Sequence, residues 1–478
     1  MGWVDWAPRV RLGLNAVLTL LAVLTLSCGG SETPSESRDP LTAFVPTPAD
    51  TPTDPSAVAG VPTATPTAAS TPAAPTPAPD VDSSSVPIPA VPTGEKLNLI
   101  AYSDREGRVF VASPDGGAAT RIDPGAGFFS WPVWSPSGDE IVFSGIPGER
   151  GSALELHSYR LGDERARVIF TNEPRAGPIL ANMAHYPLWA PDGSRMAIIA
   201  STERMLSLFL LDPSGNGGAE LVLQQAPLYL SWSADSRHMV VHGGDQHFVV
   251  DIDGGLVVTD LEDREINYRV PAWWPSGERY AFVTQDQDGE RSLFVADPYS
   301  GRRTLLDAVP GGAAFLWSPD GRTLAVAKSR SPAGGVYQGI ELFLAGGARR
   351  GVEIQDDVFA FYWSPDSTKL AYVTLVDGQG VFRWNVLTVA DGSSRGVVDF
   401  TPSSPQITLF QFFDQFAYSH TTWSPDSDAL VFAGTMTGGA ISAAEGRRQG
   451  PQIIVATLGP VPSAYTIGDG LVAVWSPR

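Results

Sequence analysis

The sequence has one cysteine, Cys28, in 478 residues, so no disulfide can form within the chain. A metal site built from several cysteines is excluded for the same reason. Charged residues make up only 18%, and no stretch is dense in lysine or arginine. The formal net charge is −20, whereas the phosphates of nucleic acid need clustered basic contacts. These absences argue against nucleic acid as a partner.

Familiar catalytic spacings are missing as well. The chain contains no Gly-x-Ser-x-Gly elbow, no phosphate-binding loop and no dinucleotide fingerprint. Of its six histidines, His238, His242 and His247 fall close together in HMVVHGGDQH. On a strand, His238 and His242 would share a face but lie about 13 Å apart, too far to hold one ion. We therefore predict no catalytic residue, no metal and no cofactor, and we expect His242 to pack between repeats.

The first 27 residues have the layout of an export signal. Arg9 and Arg11 precede an apolar run, LGLNAVLTLLAVLTL at 12–26, which is short for a membrane span. The run ends in LTLSC, which resembles the lipobox of bacterial lipoproteins. That resemblance implies that Cys28 is lipidated and anchors an exported protein to the extracytoplasmic side of the cell membrane. An uncleaved N-terminal anchor helix is the alternative.

A Pro/Thr/Ala-rich stretch follows at 28–95, including TPTAASTPAAPTPAP. Its closely spaced prolines favour extended polyproline II, and its small residues cannot bury a core. We predict a disordered stalk here, joining the lipid anchor to a folded domain at 96–478.

The folded domain repeats one short motif, of which WSPDG at 317–321 and WSPDS at 363–367 are two copies. Successive copies are 41 to 60 residues apart, which is typical of a four-stranded propeller blade and not of a helical repeat. The motif tryptophans are Trp134, Trp189, Trp232, Trp273, Trp317, Trp363, Trp423 and Trp475.

The motif has the chemistry of a hairpin turn. Proline presets φ for the first central position of a type I turn, aspartate bonds its own backbone, and Gly or Ser closes the turn. The strand that follows, such as RTLAVAKS, is expected to alternate between apolar and polar residues. The tryptophan is expected to wedge against the neighbouring blade.

The two ends of the domain complete each other. The C-terminal segment, GLVAVWSPR, contains the first strand of a blade but no second strand. The segment at 96–117, KLNLIAYSDREGRVFVASPDGG, contains the later strands of a blade but no first strand. Pairing the two ends would close a ring and remove open sheet edges. We predict an all-β protein, a β-propeller of eight four-stranded blades, with seven blades as the alternative.

These repeats resemble those of the TolB C-terminal propeller and of the propellers that cap prolyl oligopeptidases. The resemblance covers nearly all of 96–478 and implies the propeller fold. The stalk stands where TolB carries an α/β domain, so the peptidoglycan-associated lipoprotein that TolB binds is not expected as a partner. No segment remains for a peptidase domain.

Four longer segments, at 171–186, 329–338, 400–421 and 434–450, are expected to open onto one face of the ring. Exposed aromatic residues on such a face are typical of a binding surface. The alternative is that these rings tuck down and plug the channel. The candidate binding residues are Phe410, Phe412, Phe413, Phe416, Tyr418, His420, His185, Tyr186, Tyr229 and Arg269.

The function predicted is a non-enzymatic binding or scaffold module for a protein, a peptide or a cell-wall glycan, acting as a monomer. The alternative is an extracytoplasmic enzyme, carbohydrate-active for example, with its site at the channel mouth. Paired carboxylates or a His/Asp cluster at the mouth would favour the enzyme, and an aromatic mouth poor in charge would favour binding.

Overall fold

The computed structural model describes residues 97–117, 119–148, 154–171, 185–202, 205–253, 257–264, 269–331, 335–376, 380–437 and 450–478. The predicted signal peptide at 1–27, Cys28 and the stalk at 28–95 lie outside these ranges. Much of three predicted insertions, at 172–184, 332–334 and 438–449, also lies outside them. Within the described ranges, no helix has the length and apolar character needed to cross a bilayer.

Thirty strands of the described residues form antiparallel four-stranded units, the blades, numbered here by the order of their tryptophans. The first strands are β1 (Ile100–Ser103), β2 (Val109–Ala112) and β3 (Thr120–Arg121). Blade 1 contains β4 (Gly127–Trp134), β5 (Glu140–Pro147), β6 (Glu155–Arg160) and β7 (Arg167–Phe170). Blade 2 contains β8 (Tyr186–Trp189), β9 (Met196–Ser201), β10 (Leu206–Leu211) and β11 (Ala219–Gln224).

The next blades follow the same order from the channel outward. Blade 3 contains β12 (Leu228–Trp232), β13 (His238–Gly243), β14 (Gln246–Asp251) and β15 (Val257–Arg264). Blade 4 contains β16 (Ala272–Trp273), β17 (Tyr280–Gln285), β18 (Arg291–Ala296) and β19 (Arg303–Ala308). Blade 5 begins with β20 (Gly312–Trp317), β21 (Thr323–Ser329) and β22 (Tyr337–Leu344).

Blades 5, 6 and 7 are joined into one ten-stranded sheet. The long strand β23 (Arg349–Trp363) is the outer strand of blade 5 in its first part and the inner strand of blade 6 in its second. Blade 6 continues with β24 (Lys369–Leu375), β25 (Phe382–Thr388) and β26 (Ser394–Pro402). Blade 7 contains β27 (Ala429–Met436), β28 (Gln452–Thr457) and β29 (Ser463–Asp469).

The last strand, β30 (Val472–Trp475), closes the ring. It pairs antiparallel with β1, with Ile100 opposite Trp475 and Ser103 opposite Val472. Blade 8 is therefore made of β30, β1, β2 and β3. The predicted closure by both chain ends and the predicted eight blades are confirmed.

The Trp motif forms the turn that its residues predict. In WSPDG the N–H of Gly321 donates to the carbonyl of Ser318 at 2.8 Å, and the N–H of Arg322 donates to Oδ1 of Asp320 at 3.0 Å. The Ser318 hydroxyl also accepts from the N–H of Thr323 at 3.0 Å. Each turn thus satisfies its own polar groups, and the eight turns share one face of the ring, called here the turn face.

The tryptophans join neighbouring blades. In five blades the indole Nε1 donates, at 3.0 to 3.3 Å, to the carbonyl of the residue just before the tryptophan of the preceding blade. This confirms the predicted wedge and adds a directed hydrogen bond to it. The donor and acceptor pairs are Trp134–Val474, Trp232–Leu188, Trp317–Ala272, Trp363–Leu316 and Trp423–Tyr362.

Three turns end in serine at a positive φ, a region that favours glycine. Ser236, Ser367 and Ser427 have φ of 62°, 60° and 58°. Each hydroxyl accepts from the backbone N–H of an aspartate in the preceding blade's turn, as Ser367 does from Asp320 at 3.0 Å. The hydrogen bond between blades offsets the backbone cost, which is why serine replaces glycine at these positions.

The alternation expected of the second strand is not seen in its burial. In TLAVAKS of β21 six of seven residues are buried, and all six residues of MAIIAS in β9 are buried. Both faces of a blade are covered by its neighbours, so its strands are apolar on both sides. The core therefore lies between blades and surrounds the central channel.

Candidate functional site

The channel is filled by the segment 403–421, called here the plug, which contains two short helices. Helix α1 spans Ser404–Gln411 and helix α2 spans Phe413–Phe416. The hydroxyl of Ser403 caps α1 by accepting from the N–H of Gln406 at 3.1 Å, and Pro405 lies in its first turn, where no N–H is needed. The local sequence SSPQ therefore starts a helix directly after a strand.

The plug is an insertion into the inner strand of blade 7. That inner strand is interrupted. Before the interruption Pro402, at the end of β26, pairs with Gly434 of β27, and after it Trp423 forms an isolated bridge with Leu430 of β27. Gly434 and Leu430 are four positions apart, whereas Pro402 and Trp423 are 21 positions apart, so 17 residues are inserted. The insertion enters from the face opposite the turn face.

Three phenylalanines fix the plug to two blades, blade 6 and blade 2. Phe410 packs against Trp384 of blade 6, with ring centroids 5.6 Å apart. Phe413 packs against Phe361, also of blade 6, at 4.7 Å. Phe416 reaches the other side of the ring and packs at 5.4 Å against Tyr186 of blade 2. A segment that touches blades 2 and 6 at once must lie across the central channel.

Trp131 completes the pocket of Phe416. It sits in a bulge of β4 with φ of 59°, which is rare for a bulky residue. Its indole stacks on Phe416 at 5.7 Å, and its edge meets His420 at 5.8 Å. The bulge turns this side chain toward the channel, so the strained backbone serves the plug.

A buried ion pair ties the plug to blade 4. Nε of Arg269 donates to Oδ2 of Asp414 at 3.2 Å, and Nη2 lies 3.0 Å from Oδ1. Nη2 also donates at 2.9 Å to the hydroxyl of Tyr337, in blade 5, and the guanidinium lies 5.2 Å over the ring of Phe412. Burial lowers the pKa of Arg269, but Asp414, Tyr337 and Tyr229 together outweigh burial, so the pKa is raised. Burial raises the pKa of the Asp414 carboxyl, and Arg269 opposes that rise.

Tyrosine hydroxyls from the ring satisfy carbonyls of the plug. The hydroxyl of Tyr186 donates to the carbonyl of Gln415 at 2.7 Å, and that of Tyr362 donates to the carbonyl of Leu409 at 3.3 Å. Burial raises the pKa of both groups, so they are neutral donors. The pKa of Tyr337 is raised by burial to about 12, although Arg269 opposes the rise. The plug is thus held by polar contacts as well as by its aromatic rings.

One side of α1 is turned to solvent. Ser404 is exposed, and Ile407, Thr408 and Gln411 are half-buried. Their spacing of three and four residues places them on one helix face, while Pro405, Gln406, Leu409 and Phe410 are buried. The four outward residues are called here the cap surface, and none of them carries a charge.

The structure brings most of the predicted binding residues to the plug but buries most of them, and it places His185 between blades 1 and 2, against Ser144 and Phe170. Of the two expectations for the aromatic rings, exposure on the face or filling of the channel, the second describes Phe410, Phe413 and Phe416, which are buried. Phe412 is half-buried, and Tyr418 is 37% exposed. The buried candidates are His185, Tyr186, Tyr229 and His420. Binding by this set stays a prediction.

The histidines of blade 3 lie between blades, as expected of His242. Nδ1 of His242 is 3.0 Å from the carbonyl oxygen of Arg269 in blade 4, and His247 packs edge-on against Phe282 of the same blade. Across the part of the chain that the structure describes, no three His, Cys, Asp or Glu side chains are grouped as a metal site requires.

Sequence reasoning missed Asp414, Tyr337 and Trp131. Asp414 is the sole acidic residue of the plug, and that isolation in an apolar segment was a usable signal for a buried partner. Trp131 stands three residues before a motif tryptophan, where other repeats have no second tryptophan. Nothing in the sequence pattern distinguishes Tyr337, because its role depends on Arg269.

A scan against protein-family models finds no match for the chain, and a search of curated proteins finds no relative. Among solved structures, the chain is similar to the dihydro-heme d1 dehydrogenase NirN, at 14% identity over 80% of this chain and 78% of that one, with a TM-score of 0.48. It is similar to an oligogalacturonate lyase from Vibrio parahaemolyticus, at 12% identity over 72% and 85% of the chains, with a TM-score of 0.44. A putative TolB from Agrobacterium tumefaciens has 19% identity over 63% and 88%, with a TM-score of 0.33.

At these identities the likeness is one of fold and carries no information on activity. The protein is an eight-bladed β-propeller, a fold shown by its own four-stranded blades and closing strand.

Proposed function

We propose that the protein is an exported propeller, anchored in the cell membrane through Cys28, that binds a protein, a peptide or a cell-wall glycan without catalysing a reaction. The cap surface is the binding surface in this proposal, and the closed ring holds it rigidly at the end of the stalk.

The plug is the observation that carries this proposal. Acid–base catalysis at the channel mouth needs an accessible carboxylate or histidine. Asp414 is 1% exposed and is paired with Arg269. His185 and His420 are 4% and 3% exposed. Within the described residues, the mouth is therefore aromatic and internally neutralised, which favours binding over catalysis.

The cap surface also has the composition of a contact surface. It is uncharged, although the chain as a whole carries a formal net charge of −20. The centres of protein interfaces are depleted in charge and enriched in apolar groups. Among the described residues, this surface keeps Ser404 exposed and Ile407, Thr408 and Gln411 half-buried.

The stalk would leave the ring on the opposite face. The N–H groups of Leu97 and Asn98 both donate to the carbonyl of Arg478 at 3.0 Å. Arg478 belongs to the last Trp turn, so the chain enters the propeller at the turn face. An anchored protein would thereby present its cap surface away from the membrane.

The binding test uses the full-length protein in detergent as bait for solubilised membrane proteins and fragmented cell wall of the producing cells. The variant Ile407→Glu with Gln411→Glu places two charges on the cap surface, and Ser194→Glu on the turn face is the matched control. A ligand kept by the control and lost by a still-folded cap variant supports the proposal. Equal capture by both variants, or no ligand at all, contradicts it.

The anchor is tested by mass spectrometry of the mature N-terminal peptide. We expect a diacylated Cys28 as the first residue. A mature chain that retains residues 1–27 contradicts the lipoprotein anchor.

A further inference from the structure

Five arginines lie together on the turn face of blades 4 and 5, although they are far apart in the sequence. In each blade the turn between the third and fourth strands lies on the same face as the Trp turn, because successive strands run in opposite directions. The arginines come from both kinds of turn, and all five are exposed. They are Arg279 and Arg322 in the two Trp turns, Arg302 and Arg303 at the start of β19, and Arg350 at the start of β23.

The turns of the two blades touch one another, so the arginines form one surface, called here the arginine patch. Nε1 of Trp274, in the Trp turn of blade 4, donates at 2.6 Å to the carbonyl of Gly321, in the Trp turn of blade 5. The turn before β23 packs on β19 of blade 4, where a Cβ added at Gly347 would lie 3.3 Å from Cδ2 of Leu306. Both kinds of turn therefore meet across the border between the blades.

The carboxylates in these turns are fewer than the arginines, and two of them bond their own turn. Oδ1 of Asp297 accepts from the N–H of Tyr299 at 2.9 Å, and Oδ1 of Asp320 accepts from the N–H of Arg322 at 3.0 Å. Oδ2 of Asp320 lies 3.8 Å from Nε of Arg322, a long contact. With Glu278 as the third carboxylate, the patch has a surplus of positive charge in a chain whose formal net charge is −20.

Positive charge is not a general property of the turn face. The matching turns of blades 2 and 3, at 190–195, 212–218, 233–237 and 251–253, contain five aspartates and two arginines. An anionic partner would therefore be attracted to blades 4 and 5 and repelled by blades 2 and 3.

Exposed apolar side chains accompany the arginines. Tyr299 is 56% exposed, Leu305 is 59% exposed and Leu344 is 42% exposed, and all three lie in the same turns or directly beside them. A hydrophilic polyanion in solution would gain little from these side chains. The boundary between lipid headgroups and acyl chains, by contrast, takes up aromatic and apolar side chains beside basic ones. The combination favours a lipid surface.

We propose that the arginine patch docks on anionic phospholipid headgroups of the membrane. The inference rests on the proposed anchor at Cys28, since a stalk that enters at the turn face holds this face toward the bilayer. Arginines are attracted to anionic headgroups within a Debye length of about 10 Å, and the tether keeps the patch near the surface, so a weak attraction suffices. Blades 4 and 5 would then lie nearer the bilayer than blades 8 and 1.

Hydrogen exchange in nanodiscs tests the docking. Full-length protein is reconstituted in nanodiscs of phosphatidylcholine, alone or mixed with phosphatidylglycerol, and backbone exchange is followed by mass spectrometry. With phosphatidylglycerol we expect the turns at 297–302, 318–323 and 345–350 to exchange about threefold more slowly. In about 1 M NaCl, where the Debye length is about 3 Å, this protection should disappear. Equal exchange of these turns in both kinds of nanodisc overturns the proposal.

Two pairs of substitutions locate the contact. Arg302→Gln with Arg322→Gln removes two charges from the patch and should abolish the protection. Arg165→Gln with Arg195→Gln is the matched control, because both arginines are exposed on the turn face of blades 1 and 2. The control pair should keep the protection. The same result for both pairs would mean that overall charge, and not the patch, determines the contact.

Polyphosphate added to the protein in detergent separates a lipid surface from a soluble polyanion. Protection by polyphosphate, with equal exchange in both kinds of nanodisc, overturns the membrane proposal in favour of a soluble polyanion. A protein that enters neither kind of nanodisc contradicts the anchor, and this inference with it. A protein that enters both but shows equal exchange contradicts this inference alone. Capture by the cap surface is measured on the opposite face and does not depend on either result.

Discussion

The Trp turns repeat one set of contacts around the ring, whereas the plug makes a set that occurs once. Each turn satisfies its polar groups within about six residues, and five of the tryptophans donate to the same carbonyl position of the preceding blade. The plug instead contacts blades 1, 2, 4, 5 and 6 through groups that differ at every contact.

This difference separates two kinds of stabilisation. A repeated contact joins two neighbouring blades, so removing it should lower the free energy of unfolding only slightly. The plug touches opposite sides of the ring and couples distant blades, so disrupting it should lower the free energy of unfolding of the whole ring. The following experiments probe that contrast, beginning with the plug.

The largest effect is expected from Asp414→Ala. The substitution leaves the guanidinium of Arg269 facing the channel without its counter-charge, and we expect a loss of about 3 kcal/mol in the free energy of unfolding. Replacing both partners, as Arg269→Met with Asp414→Leu, should recover most of that loss. Urea denaturation measures both variants. A single variant as stable as the unaltered protein, or a double variant no better than the single, would show that the pair does not hold the plug.

Mild acid should destabilise the folded ring through two buried histidines, His420 in the plug and His185 between blades 1 and 2. Burial lowers the pKa of His185 and His420 to about 3 from an ordinary value of 6.5. Below about pH 6.5 the unfolded chain therefore binds protons that the folded chain does not, so stability falls as the pH drops toward 3. At pH 5 each histidine should account for about 2 kcal/mol of that fall.

Denaturation at pH 7 and pH 5 tests this for the unaltered protein and for His420→Gln. The variant should lose about 2 kcal/mol less than the unaltered protein over that interval. An equal loss in both proteins would exclude His420 as a source of acid sensitivity.

The smallest effect is expected in the repeated turns. Trp317→Phe removes the hydrogen bond to Ala272 but keeps an aromatic ring. Trp189→Phe is the matched control, since Nε1 of Trp189 has no hydrogen-bond partner among the described residues. Trp317→Phe should cost about 1 kcal/mol more than the control in thermal or urea denaturation. Equal costs would mean that the tryptophans act by packing alone.

The structure of the repeated turns could be predicted from the sequence because the residues that determine each turn are close together in the chain. Proline, aspartate and glycine set the backbone of each turn within a few residues, and the spacing of the tryptophans sets the blade count. The alternation expected of the second strands failed because burial on both faces depends on the neighbouring blades, which no single strand reveals.

The plug could be predicted only in part from the sequence. The aromatic residues of 403–421 were recognised, and filling of the channel was one of two expectations for them. The sequence could not show whether these rings point outward or into the channel. Phe413 is buried by Phe361, more than 50 positions away along the chain, and Phe416 by Tyr186, more than 200 positions away.

The β-propeller, its eight turns and its closure could be predicted from the amino-acid sequence, since they follow from short-range backbone preferences repeated along the chain. The filling of the channel by an inserted segment, the meeting of Arg269 and Asp414 within it, and the partial exposure of Tyr418 became visible in the folded ring alone. Those features depend on groups brought together by ring closure, and the distances between them exist only once the ring has formed.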